Sequence, residues 1–299
     1  MDKNVAVSCY SACIAQILCQ NGVKITEREM FKNRYLLELD YDMPNKGICS
    51  NLELIINNFL IYNNIKIMDI NIKDMQELSE KFLIYGGLIL NLNCTELTYA
   101  NVFKNAITMQ NRHYVYIKDI FKNKVRILDL YIPEIVESSF EGWIDLDFEK
   151  NDYHFKQIDF SAYKRWDIKE QELICLMIHQ YHNSLEKGVF RKCKKNIIEI
   201  QKREKPKDIL YEMATSLSIS GTINSRKIFF EIIKDNNNIS EKVKSEVEKI
   251  SLKYITLRLL LLKTYIKSEV ANFMSLYKAL EELEKKETEV YELIFNMLH

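Results

Sequence analysis

Cys9, His113 and Asp129 are the residues whose types and order in this chain fit nucleophilic catalysis. Cys9 lies in Ser8-Cys9-Tyr10-Ser11-Ala12-Cys13-Ile14-Ala15, at the start of a predicted helix. A thiol there faces backbone N–H groups without intrahelical acceptors and the positive end of the helix dipole, which favour the thiolate. His113 opens the alternating segment His113-Tyr114-Val115-Tyr116-Ile117, and Asp129 closes Val125-Arg126-Ile127-Leu128-Asp129. An imidazole on one strand and a carboxylate on the next can complete a nucleophile–base–orienter relay. The chemistry of such a relay is acyl transfer. Taken singly, each residue also has a structural role available: a small buried thiol, a strand-end histidine, a turn carboxylate.

The elements that must position these groups are readable from periodicity. Residues 9–21 read as a helix with Ser8 as N-cap, Ile14, Ile17 and Leu18 on one face and Gly22 as the stop. Thr26-Glu27-Arg28-Glu29 is a capping-box pattern opening a second helix through about Leu39. Asn45-Lys46-Gly47 marks a loop and Leu52 to Leu60 a third helix; Ile65 to Ile70 alternates as a strand, and Asp74 to Phe82 reads as helix. After Gly86-Gly87 come strands: Leu88 to Leu92, the His113 segment, a turn at Phe121-Lys122-Asn123-Lys124, and the Asp129 segment. A short turn makes the last two antiparallel, with His113 and Asp129 near the same end of the hairpin. Helices followed by an antiparallel sheet indicate an α+β domain, placed at 1–165. From Lys169 the pattern is helical, with breaks near Gly188, Pro206, Gly221 and Asn236-Asn237-Asn238, so 166–299 is expected to be an all-helical domain. Its last two helices, about 240–267 and 269–297, carry apolar residues at helical spacing.

Composition narrows the classes. Hydrophobic residues at 47% and charged residues at 28% over 299 residues fit a globular protein with a sizeable core. Lys+Arg and Asp+Glu both number 42, so no net field attracts nucleic acid. No apolar run reaches bilayer length and no signal-peptide pattern opens the chain, so no membrane partner is expected. Seven cysteines without a paired framework read as reduced thiols, which places the protein in the cytoplasm. Cys13, Cys19 and Cys175 read as small apolar residues on helices. The absence of CxxC pairs and the scatter of five histidines argue against a metal site, and no cofactor motif is present. Lys187 to Lys207 is the basic concentration; it reads first as a solvated helix face, with docking of an acidic partner as the alternative.

The order and spacing of these motifs resemble the papain-like cysteine peptidase superfamily, especially its bacteriocin-leader-peptidase-like branch. There a Cys-x-x-x-Cys pair opens the central helix, and a His-plus-aliphatic strand precedes a strand ending in Asp. Closer is the similarity to the N-terminal domain of butirosin-biosynthesis acyltransferases, over about residues 4–165. It runs through Cys9 to Glu27, Gly87 to Tyr99, the His113–Asp129 hairpin and Phe140-Glu141-Gly142-Trp143, where such domains carry an aromatic helix. The resemblance implies Cys9 as nucleophile, His113 as general base and Asp129 as orienting carboxylate. Where the peptidases carry an oxyanion-binding Gln, this chain has Asn4 as the stand-in, and the Cys9 backbone N–H would be the second donor. Tyr10 replaces the usual Gly after the cysteine, and Leu130 replaces the Pro after the Asp. These departures weaken proteolysis more than nucleophilic chemistry. By resemblance to these acyltransferases and to papain-like amide synthases of nonribosomal peptide and thioamide pathways, the expected function is amide formation in natural-product biosynthesis. An acyl or peptidyl group would pass from a carrier-protein phosphopantetheine thioester to Cys9 and then to an amine acceptor. The alternative is a cysteine peptidase with water as acceptor.

Overall fold

The structure, a computed structural model, describes residues 8–42, 47–99, 112–131, 139–202, 207–219 and 221–299. It is a mixed α and β chain with an antiparallel sheet and a helical C-terminal region. Two compact units are present: Met1–Met30 with Leu60–Trp166, and Phe31–Phe59 with Asp167–His299. The second crossing lies beside the expected division at 165/166. The first differs from the expected division: Phe31–Phe59, expected within the N-terminal domain, belongs to the second unit.

In the first unit, helix α1 (Cys9–Gln20) is followed by the short α2 (Glu27–Phe31), whose last residue begins the second unit. The Thr26–Glu29 capping box forms as expected: Thr26 N–H donates to Glu29 Oε2 at 2.7 Å and Glu29 N–H to Thr26 Oγ1 at 3.3 Å. The helix nevertheless ends at Phe31 and not near Leu39. Asn33 Oδ1 accepts from Tyr35 N–H at 3.0 Å, a local side-chain turn that competes with helix continuation. Helix α4 (Met75–Tyr85) is capped by Asp74, which accepts from Glu77 N–H at 2.8 Å, and by left-handed Gly86 at φ 68°.

The sheet has six strands: β3 (Lys66–Ile70), β4 (Leu88–Asn93), β5 (Arg112–Phe121), β6 (Lys124–Asp129), β7 (Phe140–Asp145) and β8 (His154–Asp159). Their order is β3-β8-β4-β5-β6-β7, every pairing antiparallel. One face carries Leu88, Leu90, Leu92, Val115, Ile117, Val125, Ile127 and Phe155, packed with Leu78 of α4. Phe140-Glu141-Gly142-Trp143 lies in strand β7 and not in a helix. Its alternation of half-buried and exposed positions puts Phe140 and Ile144 against the core, a period-2 pattern that fits a sheet edge.

The β5–β6 hairpin contains the feature that decides the site. From the turn, Phe121 pairs with Lys124, Ile120 with Val125 and Asp119 with Arg126; beyond a bulge, Ile117 pairs with Ile127 and Tyr116 with Leu128. Lys118 is the extra residue. Continued to the strand end, the shifted register sets Asp129 opposite Val115, on the face that also carries His113. Without the bulge Asp129 would oppose Tyr116 and point the other way, because a one-residue slip exchanges the faces.

Among the described residues, the second unit contains the small ribbon β1 (Asp40–Asp42) and β2 (Gly47–Cys49), most of α3 (Leu52–Tyr62), and six helices. These are α5 (Glu170–Glu186), α6 (Val189–Gln201), α7 (Lys207–Ile219), α8 (Thr222–Ile233), α9 (Glu241–Ile266) and α10 (Val270–Leu298). Its interior holds a completely buried ion pair, Arg226 Nε to Glu287 Oε1 at 2.8 Å. Tyr254 and Tyr291 donate to the Glu287 carboxylate at 2.7 and 2.9 Å, while Arg226 also donates to Ser225 Oγ and the Leu37 carbonyl. The pairing is what makes these buried charges tolerable.

Candidate active site

Cys9 is the first residue of α1. Ser8 precedes it in extended conformation (φ −150°, ψ 156°) and its Oγ accepts from Ser11 N–H at 3.1 Å, the N-cap read from sequence. The start of the helix is also tied down from outside. Glu27 Oε1 of α2 accepts from Ser8 N–H at 2.9 Å and from the Ser11 hydroxyl. In the sequence Glu27 shows only as an acid within a capping-box pattern, which points to its own helix. Cys9 remains half-buried, and its backbone N–H, in the first turn, has no acceptor in its own helix.

His113 is buried, 3% exposed, on β5 directly opposite Leu92 of β4. Its Nε2 lies 2.9 Å from Asp129 Oδ2, and Asp129 is completely buried. The Cys9 side chain lies within electrostatic reach of the ring, and since Nε2 faces the carboxylate, Nδ1 is the nitrogen left for the thiol. Burial opposes a charge on His113. Attraction to Cys9, the hydrogen bond to Asp129 and attraction to Asp129 outweigh it and push the ring up to about 10 from an ordinary 6.5. The three residues singled out from sequence therefore lie close together, His113 bonded to Asp129 and within electrostatic reach of Cys9. Asn4 lies outside the described residues.

Asp129 has two further partners that spacing alone did not indicate. Tyr99 Oη donates to its Oδ2 at 2.6 Å, and Tyr131 N–H donates to its Oδ1 at 3.0 Å. Burial, followed by the nearby Asp129 charge, pushes the Tyr99 phenol up, so it stays a donor. Its ring stacks on Phe140, centroids 3.8 Å apart and planes 3° from parallel. Gly142 permits this stack: a Cβ there would collide with the Phe140 ring lying over it. With all these bonds the Asp129 carboxylate is locked in place and its charge compensated.

The other thiols of this region differ. Cys13 is buried and desolvation pushes it well up; Cys94 is pushed up to about 11 mainly by burial, then by its neighbours Cys9 and Asp129. Both behave as small apolar residues. Cys19 and Cys175, expected as small apolar residues like Cys13, are exposed and half-buried respectively. Cys19 follows Ile17 and Leu18 and falls off the buried face of α1. All seven cysteines are free.

Among the described residues, no three His, Cys, Asp or Glu side chains gather as a metal site, and no helix is long and apolar enough to cross a membrane. In the basic segment, Lys187 pairs with Glu38 at 2.9 Å, Lys194 with Glu284 at 2.8 Å and Lys195 with Glu199 at 3.9 Å. Among the described residues, three of its nine cations are thus paired within the chain. No protein-family model matches the chain, and no curated protein matches it.

Proposed function

We propose that the chain is a papain-like cysteine acyltransferase that forms an amide from a carrier-protein-bound thioester in natural-product biosynthesis. The observation that carries the reading is the buried His113 ring bonded to Asp129 and within electrostatic reach of Cys9. In the first step Cys9 Sγ attacks the thioester carbonyl. The carrier's phosphopantetheine thiol leaves with the proton from His113 Nδ1, and acyl-Cys9 remains. His113, now neutral, takes a proton from the attacking amine; the second tetrahedral species collapses to amide and returns the Cys9 thiolate beside the imidazolium. Exchange of one thioester for another is nearly balanced in energy, so the residues need mainly to position, ionise and exclude water. The Cys9 N–H at the helix start supplies one oxyanion donor, and Asn4 is the proposed second. Free thiols throughout suit a reducing cytoplasm.

The test is incubation with acyl-carrier thioesters, with and without amines. Mass spectrometry should find acyl-Cys9 without amine and amide product with it. Cys9→Ala should abolish both, His113→Ala should nearly do so, and Asp129→Asn should retain weak activity, about 10²–10⁴-fold below wild type. Peptide cleavage with no use of amines would transfer the same residues to the peptidase reading. Undiminished turnover in Cys9→Ala would end both.

A further inference from the structure

Helix α9 (Glu241–Ile266) has two apolar stripes where a surface helix needs one. The first, Val247, Ile250, Tyr254, Leu257 and Leu261, is buried in the second unit. The second is open: Leu252 and Leu259 are each 56% exposed and Ile266 is 67% exposed, spaced seven residues apart. Half-buried Ile255 and Leu262 fall between them. Positions 252, 255, 259, 262 and 266 together form the a/d seam of a helix awaiting a partner helix.

The residues around the seam select the partner. From Lys249 to Ser268 the chain has Lys249, Lys253, Arg258, Lys263 and Lys267 and no acidic residue, within a protein of zero net charge. Lys249 is engaged by Glu246 at 2.8 Å, while Lys263 and Lys267 are exposed near the end of the seam. A second copy aligned on the same seam would set these cations against themselves. An anionic bilayer would call for a broad apolar face, whereas this one is two residues wide. We propose that this face of α9 docks an amphipathic helix with acidic flanks, presented by a partner protein. The Lys187–Lys207 segment, with several of its cations already paired, is a poorer candidate for the same partner.

The experiment uses the full chain and two fluorescent helical peptides with leucine at a and d, one with Glu and one with Lys at e and g. Anisotropy should show saturable, salt-sensitive binding of the Glu peptide only. Leu259→Glu and Lys263→Glu, both at exposed positions, should each weaken it about tenfold or more with an unchanged circular dichroism spectrum. Cys9→Ala should bind as wild type, which separates docking from the chemistry proposed above. Equal binding of both peptides, or no effect of Leu259→Glu, would overturn the proposal. So would sedimentation of the chain as a dimer disrupted by Leu259→Glu, or preferential binding to phosphatidylserine vesicles.

Discussion

At the scale of residues, the imidazole of His113 is the hub, and its protonation gives a direct test. Folded, it releases its proton at about 10; its ordinary value is 6.5. A folded value above the unfolded one means that its partners stabilise the native state fully below about pH 6.5 and progressively less as pH rises through about 10. Thermal unfolding across this window should therefore show a slope that His113→Gln flattens. NMR titration should find the ring titrating lower in Cys9→Ala, because attraction to Cys9 is one of the causes that raise it. Wild type and His113→Gln with parallel stability curves would remove His113 from the charged cluster. The reactive residues were legible because their types are scarce and their order informative. Tyr99 was not: a tyrosine among seventeen carries no mark of the carboxylate it will meet thirty positions later. Glu27 was legible only as part of a helix start, since nothing local says that its carboxylate reaches back to Ser8 and Ser11.

At the scale of elements, the bulge at Lys118 does what strand alternation by itself cannot. Both His113 and Asp129 were readable as strand-end residues near one end of a hairpin. Whether they shared a face was not, because that depends on a single unpaired residue in β5. Removal of Lys118 should take out the bulge yet keep Ile117 opposite Ile127, so that Asp129 stays opposite Val115 on the face of His113. The deletion variant is expected to keep the far-ultraviolet spectrum of the wild type and activity well above that of Asp129→Ala. Loss of activity as complete as in Asp129→Ala would mean that the register is not what joins the pair. Strand β7 eluded the reading for a related reason: Phe140-Glu141-Gly142-Trp143 is short, and its glycine and aromatics are informative only once the Tyr99 stack is known. The early end of α2 was equally hidden, because Asn33 competes with the helix through a side-chain bond and not through its intrinsic propensity.

At the scale of the whole molecule, helix positions in the C-terminal half were the easiest feature to read. The last two helices fall at Glu241–Ile266 and Val270–Leu298, close to the expected spans, because long amphipathic periodicity is a strong signal. The polar centre inside that unit was invisible, since one Arg and one Glu sixty-one positions apart look like surface residues. Glu287→Ala should destabilise the protein by about 3–5 kcal/mol, for it strands the buried Arg226 charge; urea melts of Arg226→Met with Glu287→Leu should recover part of the loss. Equal midpoints for Glu287→Ala and wild type would show that the pair is dispensable. The allocation of Phe31–Phe59 to the second unit has a consequence for how the protein is made. This stretch leaves the ribosome long before the helices it joins, and its Leu36, Leu37, Leu39, Ile55 and Ile56 are all buried in the finished fold. Until translation reaches the C-terminal helices these side chains have no permanent cover, so the nascent chain carries a greasy loop through most of its own synthesis and is open to chaperone capture throughout that wait.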